Sequence, residues 1–110
     1  MSVTSPGEQV IDLEALDFSP SEALPGAKSA RVRFDPCEAK VMYYPAGITI
    51  PRHHHTGDTL KVILRGRIDR PEGALTPGVL HACGGWEYGP WVVAEDTYLL
   101  LLQAPGTTGA

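Results

Sequence analysis

The sequence predicts an all-β domain, a sandwich or barrel of short strands. Gly and Pro number 12 and 10 among 110 residues, a density of turn formers that leaves little room for long helices. Turn signals recur about every 8–12 residues, and no segment carries a clean 3.6-residue apolar period. The stretches between turns are rich in β-formers, as in Val41, Tyr43 and Tyr44.

Taken in order, residues 1–9 are polar, and residues 10–18 (VIDLEALDF) fit either a strand or a short helical turn. Pro20, Pro25 and Gly26 mark a loop. Arg31-Val32-Arg33-Phe34 alternates polar and apolar, as a half-buried strand does. Residues 39–44 form the next strand, and Pro45-Ala46-Gly47 turns the chain. Residues 48–55 read as a strand interrupted by Pro51, which suits an edge or a bulge. Residues 59–68 (TLKVILRGRI) are the strongest strand of the first half, with Gly66 at a bend. Short strands over 79–83 and 86–88 follow. A final pair, 91–94 and 97–103, is split by Glu95-Asp96. The division expected is an N-terminal segment, 1–30, partly ordered, and a single barrel over 31–110.

Composition narrows the function classes. Hydrophobic residues make up 43% and charged residues 20%, which is globular rather than disordered. Net charge is −4 with a pI near 5.4, and no basic patch is readable, so no nucleic-acid partner is expected. The longest apolar run, Tyr98 to Leu102, falls far short of the ~20 residues of a spanning helix. No membrane partner is expected. The N-terminus lacks the basic and apolar regions of a signal peptide, so a cytoplasmic location is expected. Cys37 and Cys83 form no zinc motif and read as two free thiols.

The chemistry-bearing feature is His53-His54-His55. Adjacent strand residues point to opposite faces, so His53 and His55 share one and His54 takes the other. Two imidazoles on one face can reach a single metal ion at about 2.0–2.1 Å per bond. The same alternation puts Lys61 on the face of Thr59: inside a barrel it is a buried cation with a use, at a sheet edge its amine is in water.

The run from Gly47 resembles the first motif of the cupin family: Gly, five residues, His-x-His, three or four residues, Glu, six residues, Gly. Here Gly47 is followed after five residues by His53, then His55, Thr59 and Gly66 at matching spacings. The resemblance covers about residues 39–104 and implies a jelly-roll barrel, the double-stranded β-helix. Thr59 stands where the family usually has a Glu ligand. In lacking that Glu, His-x-His-Thr-Gly is similar to the acetylacetone-cleaving dioxygenase branch, which holds iron with three His alone.

The second motif usually supplies one more His. Aligning Gly85-Trp86-Glu87-Tyr88-Gly89-Pro90 with the family's Gly-x-x-His-Gly-Pro puts Tyr88 in that place, and this is the frame preferred. A second frame, through Pro77-Gly78-Val79-Leu80-His81, gives His81 but leaves about ten residues between motifs, too few for two strands. The third ligand is therefore open. Glu87 is the better donor at neutral pH and, if a local bulge turns it inward, would complete a two-His, one-carboxylate set; Tyr88, with an ordinary pKa near 10, and His81 are the alternatives, as is no third ligand. Thr59, Lys61, Trp86 and Tyr88 are the candidate cavity-lining residues.

The resemblance implies a divalent metal (iron, manganese, zinc or nickel) or a barrel that has lost it. With metal, it implies oxygenase, isomerase or decarboxylase chemistry on a small carbonyl compound. The alternatives are a small-molecule or metal sensor, as in the cupin half of some anti-sigma factors, and a degenerate non-catalytic cupin. A small-molecule ligand is the expected partner. A homodimer is expected because an apolar strand edge such as 97–102 invites pairing.

Overall fold

Residues 2–5, 7–84 and 87–107 are described by a computed structural model. Its strands are β1 (Ser2–Ser5), β2 (Glu8–Ile11), β3 (Ser19–Pro20), β4 (Lys28–Val32), β5 (Glu38–Tyr44), β6 (Thr49–Ile50), β7 (His53–His54), β8 (Thr59–Asp69), β9 (Leu80–Cys83), β10 (Glu87–Tyr88) and β11 (Trp91–Gln103). A 3-10 turn, Leu13–Ala15, is N-capped by Asp12, whose carboxylate accepts from Glu14 N. The ambiguous residues 10–18 therefore divide between a strand end and a helical turn. Among the described residues no helix is long and apolar enough to cross a membrane.

β11 is the spine. Its second half lies between β5 and β8, and its first two residues pair with β6. The main sheet runs β3-β4-β5-β11-β8-β9, and β7 and β10 form a separate antiparallel ladder. Residues 91, 93, 97, 99, 101 and 103 of β11 are all buried, the period of two expected when one face packs on a core. Of these, Trp91, Val93, Leu99 and Leu101 meet Ile50, Ile63, Ile68 and Leu75 in one cluster.

Three expectations change. The terminal strand is continuous through Glu95-Asp96 rather than split, and it is central rather than an edge. The strand expected at 31–34 runs over Lys28–Val32 and leaves Phe34 57% exposed. The main sheet accordingly takes in residues 19–20 and 28–30.

The continuity of β11 has a local cause. The β8–β11 register shifts between Val93 and Leu99, an irregularity that absorbs the two acidic residues on the outside. Gly66 sits there with φ +98°, and a Cβ would run into Asp96 O and Thr97. Fully buried Thr97 accepts from Arg67 N (3.0 Å) and donates to Glu95 O (2.7 Å). Asp96 accepts from Ala46 N (2.8 Å), tying the 45–47 turn to the bulge. Across it the buried positions of β8 change from 59, 61 and 63 to 68, a one-residue change of phase.

Candidate functional site

Pro51 has no N–H to give a ladder, so the strand breaks between β6 and β7 and the three histidines begin a new short segment. His53 Nδ1 donates to Pro51 O at 2.8 Å. That bond fixes the ring and leaves the lone pair on Nε2, as metal-binding histidines are commonly held. His54 is exposed and His55 is 1% exposed, so the alternation expected from the sequence is present. The His53 and His55 rings stand 4.9 Å apart between centroids at 83°.

This spacing fits a shared ion. With bonds of about 2.0–2.1 Å, each centroid lies about 3.2 Å from the metal, and an N–metal–N angle of roughly 100° separates them by about 5 Å. Gln103, opposite Thr59 in the β8–β11 ladder, places its amide nitrogen 3.4 Å from His55 Nδ1. Turned about its amide, Gln103 accepts from Nδ1–H instead and leaves Nε2 with the lone pair that a metal needs. Thr59 is 3% exposed, and its hydroxyl oxygen is buried with no hydrogen-bond partner among the described residues.

His53 also lines a cavity of about 180 Å³ whose walls include Met42, Ile50, Lys61, Trp91 and Leu99. Lys61 is 5% exposed, so of its two sequence readings the interior one holds. Its ammonium lies 5.5 Å from the centre of the Trp91 ring. Burial pushes its pKa down to about 8, partly offset by Cys83. A wider concavity of about 500 Å³ is lined by Cys37, Asp58, Thr59, Cys83 and Gln103; neither His53 nor Lys61 is among its described walls.

His81 belongs to a different group. It pairs with Lys61 in the β8–β9 ladder, and its ring meets Trp91 edge-on at 5.0 Å. Burial, then the Lys61 and Arg70 charges, lower its pKa to about 4, so it is neutral near pH 7. In the β7–β10 ladder the backbone of Glu87 pairs with His54 and that of Tyr88 with His53. Trp86 lies outside the described residues. Among the described residues no group of three His, Cys, Asp or Glu is placed to hold a metal. Among the described residues the donors brought together are an imidazole pair, which fits part of a metal's coordination shell.

Sequence reading missed Gln103 and Trp91. Their signal was available in the odd-numbered alternation of residues 91–103, which puts both on the inward face with Leu99 and Leu101.

No known family profile and no curated protein sequence match the chain significantly. Solved structures do. An RmlC-like cupin protein from Ralstonia eutropha superposes with a TM-score of 0.68 at 17% identity, over 87% of this chain and 68% of that one. The chain has the cupin fold. An acetylacetone dioxygenase from Acinetobacter johnsonii matches at TM-score 0.71 and 15% identity, covering 87% of this chain and 73% of the dioxygenase. A chain from the Rhodobacter sphaeroides SigE complex with the anti-sigma ChrR matches at TM-score 0.74 and 20% identity over 84% of this chain. The present chain spans about half of that one, 52% of its length.

Proposed function

We propose that this cupin holds a divalent metal ion on His53 and His55 and acts on a small carbonyl compound seated in the adjoining barrel cavity. The observation that carries the reading is the imidazole pair: two rings 4.9 Å apart and near-perpendicular, one of them lining an apolar cavity. A bound divalent ion would polarise a carbonyl or bring dioxygen to it. The protein's part is positional. Pro51 O orients His53, Gln103 steadies His55, and Met42, Ile50 and Leu99 exclude water from the substrate's apolar side. Glu87 is the third donor we favour, because a carboxylate is ionised at neutral pH and a tyrosine is not; its backbone register with His54 means that a local bulge must bring it round to the face of His53, and Tyr88, in register with His53, and His81 are the alternatives. The likeness to an acetylacetone dioxygenase supports oxygenase chemistry as one form of this activity.

A second reading has its own support. Thr59 in place of a Glu, and Tyr88 in place of a His, are what a barrel that has lost its metal would carry. The likeness to a chain of the SigE–ChrR complex supports a sensor in the same class of non-catalytic roles.

Calorimetric metal titration of wild type and Thr59→Glu separates the readings. Position 59 is buried and one side chain, Gln103, away from His55. A carboxylate there should raise metal affinity roughly ten-fold or more, because an anionic oxygen in a low-dielectric interior attracts a divalent cation strongly. Without metal the variant should lose about 1–3 kcal/mol of stability, the charge being buried. Wild type without measurable affinity, and Thr59→Glu without gain, would leave the metal-free reading.

A homodimer belongs to the same proposal on revised grounds. β11 is central, so the sequence argument from its edge no longer holds. The main sheet's edges are β3 and β9, and Leu80 of β9 is 61% exposed. Sedimentation should give twice the 11.8 kDa chain mass; a monomer at high concentration would remove the dimer.

A further inference from the structure

The core residues Ile63, Leu99 and Leu101 fix which side of the main sheet faces inward, and by alternation the even-numbered residues of β8 and of the second half of β11 face outward. In β8 the usual division is reversed. Thr59 and Lys61 are buried on the inner side, while Leu60, Val62 and Leu64 take the outer one. A sheet whose outer side meets water carries polar residues there. The register extends this apolar side over four strands. One row runs from Ala39 of β5 through Leu102 and Leu60 to Ala82 of β9. Beside it a second runs from Val41 through Leu100 and Val62 to Leu80. Neither row contains a polar or charged side chain.

Both rows grade from covered to open. Ala39 and Val41 are buried, the β11 and β8 residues are half-buried, and Ala82 and Leu80 are exposed. Residues 9–18 of the chain supply part of the cover: Phe18 packs on Tyr98 at 6.0 Å, and Glu14 pairs with Arg65 at 2.7 Å. That cover gives out toward β9, where Leu64 is 39% and Leu80 61% exposed.

We propose that this face packs on the same face of a second copy of the chain, about a two-fold axis close to Leu80. The inference rests on the homodimer reading and deepens it by naming the surface. A two-fold contact sets a patch against its own image. An uncharged patch meets that demand, whereas a charge near the axis would face its own like. The area agrees. The chain exposes 6437 Å², about 500 Å² more than the ~5,900 Å² of a compact monomer of 11.8 kDa. A small specific interface takes roughly 600 Å² from each partner.

The test is sedimentation equilibrium over a range of concentrations on wild type, Leu80→Lys and Leu64→Lys, with Val92→Lys as control. Val92 is 49% exposed on β11, outside both rows. All three substituted positions are exposed, and a melting curve verifies each fold. Wild type should give twice the 11.8 kDa chain mass. Leu80→Lys and Leu64→Lys should each weaken association roughly hundred-fold or more, because the axis brings two lysines into one desolvated apolar contact. Val92→Lys should match wild type. The melting temperature should rise with protein concentration in wild type and Val92→Lys, and not in Leu80→Lys or Leu64→Lys. A monomeric wild type overturns this proposal together with the homodimer; binding of that monomer to phosphatidylcholine vesicles would assign the face to a membrane instead. A dimer that Leu80→Lys or Leu64→Lys leaves at wild-type strength, or that Val92→Lys disrupts equally, overturns the assignment of this surface alone and leaves the homodimer standing.

Discussion

Lys61→Met should raise the melting temperature at pH 7, and its advantage should fade as the pH approaches 10.5. The amine's pKa is about 8 in the fold against 10.5 for an ordinary lysine. Between those values the unfolded chain holds a proton that the folded chain has released, so stability rises with pH across that window. Below pH 8 the folded protein carries the full disadvantage of a buried charge. At 1.36 kcal/mol per pKa unit, that disadvantage is on the order of 3 kcal/mol. Met carries no charge to bury and escapes that disadvantage, so Lys61→Met should melt at least several degrees higher than wild type at pH 7. Melts of both proteins at pH 7, 8.5 and 10 check it: the difference should be largest at pH 7 and shrink steadily. A variant less stable than wild type at pH 7 would overturn this and mean that Lys61 stabilises the fold.

Why Lys61 was legible only in part is instructive. Alternation puts Lys61 on the face of Thr59, but alternation alone does not say whether that face is inside. What decides it is β11 lying alongside β8, a pairing between residues some 40 positions apart. The same long-range register brings Gln103 to His55, which no local pattern contains. The facing of His53 and His55 was legible because it is local: a period of two, started afresh after Pro51. Glu95-Asp96 misled for a physical reason. Two adjacent carboxylates look like a turn, and here they sit on the outside of a bulge held by Gly66 and the buried Thr97 hydroxyl. The third metal donor was not legible because the second motif departs from its pattern at Tyr88, leaving Glu87, Tyr88 and His81 as rival donors on two different strands.

The fold itself was legible through turn density and the spacing from Gly47 to Gly66. Both are properties of short-range sequence, and the fold they predict is shared with solved cupin-fold structures at identities of 15–20%. What such distant likeness does not carry is the content of the barrel. In this chain that content is two histidines, a buried threonine in a carboxylate's place, and a buried lysine facing an apolar cavity.

The central claim is that His53 and His55 act together on one ion while His54 does not. The most direct measurement is elemental analysis of purified wild type beside His53→Ala, His54→Ala and His55→Ala, each verified as folded by its melting curve. Removing either inward imidazole takes one of two nitrogen donors from a shell that has a threonine, not a carboxylate, at position 59, so bound metal should fall roughly ten-fold or more in both variants. His54 is exposed and points away, and His54→Ala should keep the wild-type metal content. Equal losses in all three variants, or wild-type metal content in His53→Ala and His55→Ala, would contradict the account.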